Sequence, residues 1–224
     1  MGCLQNAGLF VGEVVESAPH NLKGNRENLE VRALNEAVLE FSSGSWKEPP
    51  KNLVWNTTHE VRRDKIIAVL ASGGPMWGFK DPRTLLTLDF WRRAMLDVQF
   101  VGTFRHPLAV AESLRARDNM SIEQGIALWL HYNSVLLREF EQRAFPLVNF
   151  DDDASDYAKA LDRLSSDLGL HHCASTFFAD SLRHHRIPDG AGLVLPIAVK
   201  AIWARLIECS RRYTLRCNDD ERVP

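Results

Sequence analysis

Two charged clusters, each following a short apolar run, carry the residue types best suited to chemistry. The first is Lys80-Asp81-Pro82-Arg83, after Trp77-Gly78-Phe79. The second is Arg105-His106-Pro107, with Ser113 further along in the segment that follows. Ligands of open α/β sheets bind in the crevice at the carboxyl ends of the strands. An arginine there can offer its planar guanidinium to a phosphate as a bidentate partner. Pro107 suits the first position of a helix, so Ser113 falls about two turns in and could donate a second bond. A structural ion pair and a serine on a helix face would use the same two residues. Lys80 and Arg83 could stabilise a group in transfer or hold its acceptor, with Asp81 orienting one of them. An internal ion network at a strand end is the competing reading.

The elements that must position these residues follow from periodicity. Leu29, Leu34, Val38, Leu39 and Phe41 form an apolar stripe that predicts a helix between the loops at 17–26 and 42–52. Val61, Ile66, Ile67 and Leu70 predict another over 58–71. Further helices are expected over 83–95, 107–117, 155–168 and 196–216. Ser121 and Gln124 resemble a capping box opening a long helix to about residue 143. Residues 1–11 read as a helix without an N-cap. Strands are expected at 77–80, 98–104 and 145–150. Loops are expected at 17–26 and 42–52, and residues 171–195 read as irregular. Asp151-Asp152-Asp153 reads as a strand-to-helix turn with a capping role. Trp129, Tyr132 and Trp203 read as core residues. Strands alternating with helices predict an α/β protein with a parallel sheet flanked by helices, organised as a single domain over 1–224.

Composition narrows the function classes. The 224 residues carry a net charge of −2, which argues against bulk electrostatic binding of nucleic acid. The four cysteines have no CxxC spacing and read as reduced thiols. His171-His172-Cys173 lacks a second ligand pair at helical spacing, so no metal is expected. Absence of a basic n-region and of a run of about 18 apolar residues predicts a cytoplasmic protein without membrane association.

Five pieces in order make a more specific pattern. Lys80-Asp81-Pro82-Arg83 is followed by Arg105-His106-Pro107, Ser113, Leu128-Trp129-Leu130-His131-Tyr132-Asn133 and Asn149-Phe150-Asp151-Asp152. This order resembles the sulfotransferase family that uses 3′-phosphoadenosine 5′-phosphosulfate (PAPS), in its bacterial, broad-specificity branch. Gly24-Asn25-Arg26-Glu27 resembles the family's Gly-x-x-Glu loop, and Leu182-Arg183-His184-His185-Arg186 its C-terminal basic segment. The resemblance covers nearly the whole chain and implies a P-loop-NTPase-like sheet. It implies that Arg105 and Ser113 grip the nucleotide's 3′-phosphate, and that Arg183 and Arg186 close over the nucleotide. A solvated basic loop is the other reading of that last segment. Glu27 becomes the candidate base, against a carboxylate favoured simply by a helix N-terminus; His20 and His59 are weaker candidates. Catalytic roles therefore fall on Glu27, Lys80 and Arg83. PAPS is the implied co-substrate, with no metal. A small-molecule or carbohydrate hydroxyl or amine is the implied acceptor.

The family opens with a strand and an Arg-Ser-Gly-Thr-type loop that cradles the 5′-phosphosulfate. No such string occurs in this chain, and Met1 falls where the helix after that loop would already be under way. The expectation is an N-terminally truncated version of the fold, with weak binding of the donor's 5′ end and low stability or self-association. A non-catalytic nucleotide-binding or interaction module on the same scaffold is the alternative. A nucleotide-kinase-type phosphoryl transferase is a weaker one, because no Walker loop is present.

Overall fold

Asn28 begins the best-defined helix of the N-terminal half. Its side-chain oxygen accepts from the backbone N–H groups of Glu30 and Val31, satisfying two of the donors that a helix start leaves open. The helix, α2, runs Leu29–Phe41. In the computed structural model, residues 1–17, 24–171 and 194–220 are described, with the side chains of 214–220 excepted. Among these, the protein is mixed α/β and mostly helical, with one two-stranded parallel sheet.

The chain divides into two compact units. One comprises Met1–Val98 with Ser165–Phe177, the other Gln99–Leu164 with Phe178–Pro224, as far as their residues are described. The first unit holds α1 (Gly2–Asn6), α2, α3 (Thr57–Ser72), a 3-10 helix (Pro82–Leu85) and α4 (Leu88–Arg92). Its core is built on Val31, Leu34 and Val38 of α2, Ile66 and Leu70 of α3, and Phe90 and Trp91 of α4. Trp55, Trp77 and Phe79 pack against this cluster.

Several expectations need correction here. Helix α1 stops at Asn6, because Gly8 takes a left-handed φ of 106° just after the Ala7 cap. Beyond it, Leu9 and Val11 are buried and Phe10 is exposed, an alternation with strand period. Phe10 forms a single parallel bridge with Trp77, through Phe10 N–H to Met76 O and Gly78 N–H to Phe10 O. The expected strand at 77–80 is therefore an extended segment with one bridge. The expected helix at 83–95 is broken at Thr87, whose hydroxyl is drawn to Asn35 of α2. Leu29, Phe41 and Val61 are about half exposed; Val31 is the stripe member that the sequence reading left out.

The second unit holds β1 (Gly102–Phe104), α5 (Pro107–Asp118), α6 (Ile122–Gln142), β2 (Leu147–Asn149), most of α7 (Ala154–Asp167), and α8 (Ile197–Asp220). Strands β1 and β2 pair in parallel, Gly102 against Leu147 and Phe104 against Asn149. Both are shorter than the apolar runs that announce them. Parallel strands need a crossover, here supplied by α5 and α6. Pro107 stands at the start of α5, and the Ser121–Gln124 capping box opens α6. Trp203 of α8 meets Phe104, His106 and Trp129 edge-on or tilted, at centroid distances of 5.1–6.3 Å.

Helices α5 and α6 approach closely because Gly125 has no side chain. A Cβ there would lie 2.8 Å from Ala111 Cα and 2.9 Å from its Cβ. Gly125→Ala gains about 1 kcal/mol of helix propensity but forces two backbones apart, an overpacking cost of about 1–3 kcal/mol. The backbone contact cannot rotate away, so the cost should win. The expected outcome is a melting temperature lowered by a few degrees, read by calorimetry against the unsubstituted chain.

Candidate functional site

Glu27 sits one residue before the α2 cap and is buried, with 7% exposure. A short antiparallel contact holds it there. Val14 bridges Asn28, Val15 N–H donates to Glu27 O, and Arg26 N–H donates to Val15 O. The glycine of Gly24-Asn25-Arg26-Glu27 has a physical reason. Gly24 has φ 69°, and a Cβ on it would come within 2.1 Å of Val15 O. Arg26 is also left-handed, at φ 52°. Its guanidinium reaches Glu16 at 2.8 Å and Gln5 at 3.2 Å. This turn feeds the chain into α2 with the Glu27 carboxylate facing inward.

Residues more than fifty positions away complete the cluster. Lys80 Nζ lies 3.3 Å from Glu27 Oε1, and Arg83 Nη1 lies 3.7 Å from Oε2. Arg83 Nη2 also reaches Glu36 Oε1 at 3.2 Å, and Nη1 reaches Asp81 Oδ1 at 2.8 Å. Glu27 and the Lys80–Arg83 pair, singled out in two separate stretches of sequence, are thus one cluster within the first unit. Burial alone would lower the Arg83 pKa, but Asp81 above all, helped by Glu36 and Glu27, holds it above its usual value. The guanidinium is a permanent positive charge. Its Nε is buried without a hydrogen-bond partner among the described residues, at a cost of roughly 1–3 kcal/mol.

Asp81 is buried and caps the 3-10 helix by accepting from Arg83 N–H at 3.0 Å. Its other oxygen accepts from Asn35 Nδ2 at 2.9 Å. Asn35 is fully buried in α2 and was not singled out by the sequence reading. The available signal was an amide on the apolar stripe, one turn from Val31 and from Leu39. Lys80 is more exposed than Glu27, Asp81, Arg83 or Glu36, with 41% of its side chain accessible, and marks the open side. Trp46 is a further neighbour, with the Arg83 guanidinium 5.9 Å from its ring. An open groove of about 540 Å³ lined by Leu53, Trp55, Asp89, Arg92 and Arg93 includes none of the expected site residues.

In the second unit, Arg105 follows β1 and Asp151 follows β2. Parallel register makes these two positions neighbours at the carboxyl ends of adjacent strands. Arg105 Nε and Nη2 both donate to Asp151 Oδ1 at 3.0 Å, and His106 N–H donates to Oδ2 at 2.6 Å. The guanidinium carbon lies 4.7 Å from the Phe150 ring centroid. Trp129 Nε1–H donates to Arg105 O at 2.8 Å, anchoring the turn from α6. Ser113 is half-buried on α5. Of the acidic run, Asp153 accepts from Ser155 and Asp156 N–H groups, a capping role, whereas Asp151 is the arginine's partner. Arg183, Arg186 and His20 lie outside the described residues, as do His172 and Cys173. Among the described residues, no helix is long and apolar enough to cross a membrane, and no group of His, Cys, Asp and Glu could hold a metal.

Compared with known proteins, the chain matches no family model, no curated protein and no solved structure.

Two histidines cap helices through unprotonated nitrogens. His106 Nδ1 accepts from Leu108 N–H at the start of α5, and His59 Nδ1 accepts from Asn56 N–H in the α3 capping box. Burial lowers the pKa of both; Asp151 opposes this at His106, and Arg62 adds to it at His59. With the folded pKa below the unfolded value, acid favours the unfolded chain. Their contribution should be complete above about pH 6.5 and be lost as pH falls toward the lowered folded values. His106→Asn keeps an acceptor at the cap and removes one titration. The expected outcome, in denaturant melts at neutral and mildly acidic pH, is a smaller loss of stability on acidification than in the parent chain.

Proposed function

We propose that this protein acts on the pattern of a PAPS-dependent sulfotransferase, on a P-loop-NTPase-like scaffold. The observation that carries the reading is the meeting of Glu27, from the Gly-x-x-Glu-like loop, with Lys80 and Arg83 of the Lys-Asp-Pro-Arg motif more than fifty residues away. In such a reaction, the bond between sulfur and the donor's bridging phosphate oxygen breaks. A new bond forms between sulfur and the acceptor oxygen or nitrogen. The acceptor's proton passes to Glu27, and 3′-phosphoadenosine 5′-phosphate leaves. Lys80 and Arg83 place positive charge where the sulfuryl oxygens and the leaving phosphate gain negative charge. An unpartnered Nε–H on a buried guanidinium is the kind of cost that structures accept at functional sites. Acceptor chemistry is a hydroxyl or amine of a small molecule or carbohydrate.

Arg105 takes the 3′-phosphate in this reading, with Ser113 as second donor. The Arg105–Asp151 pair favours a second reading, a non-catalytic module in which that ion pair simply ties two strand ends together. The two diverge in titration calorimetry of the full chain with 3′-phosphoadenosine 5′-phosphate, with 5′-AMP as control. Sulfuryl transfer predicts binding of the bisphosphate but not of AMP, weakened by Arg105→Ala by at least about tenfold, or about 1.4 kcal/mol. Binding of neither nucleotide by a folded sample would defeat the transfer reading. With radiolabelled PAPS and a panel of hydroxyl and amine acceptors, Glu27→Gln should lower transfer by about 10²-fold or more, with bisphosphate binding retained.

A further inference from the structure

Asn35 stands behind the charged cluster, and every polar valence of its side chain is used. Nδ2 donates to Asp81 Oδ2 at 2.9 Å and to Thr84 Oγ1 at 3.1 Å. Oδ1 accepts from Thr87 Oγ1 at 2.7 Å and from Trp91 Nε1 at 2.7 Å. The amide's orientation is dictated by chemistry, since the indole can only donate and an ionised carboxylate can only accept. Such a residue costs more to bury than the leucine or valine that would complete the α2 stripe, unless all four bonds are made.

What Asn35 does to Asp81 is specific. It occupies Oδ2 and so presents Oδ1 to Arg83, which meets it through both its backbone N–H at 3.0 Å and Nη1 at 2.8 Å. Arg83 has two other carboxylates within reach, Glu36 at 3.2 Å and Glu27 at 3.7 Å. Without a fixed Asp81, Nη1 loses its 2.8 Å partner, and only the Glu36 contact through Nη2 remains to hold the guanidinium back from closing onto Glu27. We propose that Asn35 is a positioning residue: acting through Asp81, it holds Arg83 shared among its carboxylates and keeps the Glu27 carboxylate from being fully claimed by it. That this matters for proton transfer rests on the sulfuryl-transfer reading; the contact itself does not.

The test is side-chain ¹⁵N NMR of the full chain, following the Arg83 Nε–Hε resonance, assigned by its loss in Arg83→Lys. Asn35→Asp keeps shape and the acceptor oxygen but sets a carboxyl against Asp81. Two carboxylates at hydrogen-bond distance cannot both ionise without cost. The groups facing this pair are Arg83, Glu36, Glu27 and Lys80. When the introduced carboxyl is protonated, its O–H donates to Asp81 as the amide did; when it ionises, Asp81 is pushed away. The expected result is an Arg83 resonance displaced from the parent position at high pH, returning to it as pH is lowered across about pH 9 to pH 5. The parent signal should stay fixed over the same range. Thr87→Val, which leaves both Nδ2 bonds in place, should not move it. An Asn35→Asp signal that coincides with the parent at every pH, or is displaced equally at every pH as lost packing would produce, overturns the proposal. Should N35D not fold, N35D/D81N restores one amide and one carboxylate to the same hydrogen bond. Recovery of folding in the double variant supports the contact, and no recovery overturns it. The readout involves no nucleotide, so a chain that fails to bind the bisphosphate would defeat the transfer reading while this result still decided the role of Asn35.

Discussion

The first unit depends on a buried amide meeting a buried carboxylate. The Asn35–Asp81 hydrogen bond links α2 to the 3-10 helix across forty-six residues of sequence, and both residues are buried. Polar groups in such surroundings must find partners or forfeit their hydration. That demand explains several features at once. Thr87 breaks what would otherwise be a continuous helix so that its hydroxyl can reach Asn35. Trp91 turns its indole N–H to the same oxygen. Asp81, held on one side, serves on the other as both helix cap and counter-ion to Arg83.

From this anchor the charged cluster follows. Arg83 is surrounded by Asp81, Glu36 and Glu27, while Lys80 and Arg32 add positive charge against Glu27 and Glu36. Three carboxylates thus face three cations, and the cluster is close to neutral. Glu27 is delivered to it by a turn that only a glycine at Gly24 can make without collision. Two segments far apart in sequence, each stiffened locally, meet at a point where one carboxylate and two cations face each other. In the second unit the organising constraint is parallel register. It places Arg105 and Asp151 side by side at matching strand ends, and Phe150 and Trp129 hold the arginine's ring contact and carbonyl.

Much of the local structure was legible. The boundaries of α2, α3, α5, α6 and α7 agree with the periodic patterns to within about two residues, helped by caps such as Ser121 and Asp153, which are chemical signals that act at short range. Strand lengths were not legible. Residues 98–101 look as β-like as 102–104, but a strand exists only where a partner's backbone is in register. The reading of 83–95 as one helix failed because local propensity has no knowledge of Asn35. The reading of 1–11 as one helix passed over both Gly8 and the alternation of Leu9, Phe10 and Val11. Lys80, Arg83 and Arg105 stood out in ordered motifs and Glu27 in a glycine-led loop, but Asn35 and Asp151 as their partners did not.

By itself, the sequence determined the longer helices and the chemical types available: a glutamate after a glycine turn, a Lys-Asp-Pro-Arg run, and an arginine before a helix-opening proline. Those are matters of backbone conformation and side-chain chemistry within a few residues. Only the tertiary structure decided which charges meet. Ion pairing and hydrogen bonding act over a few ångströms in space, whatever the separation along the chain. The assignment of Arg83 to Glu36 and Glu27, of Arg105 to Asp151, and of Asn35 to four partners therefore had to wait for the packing of α2 against the 3-10 helix and α4 and for the pairing of β1 with β2.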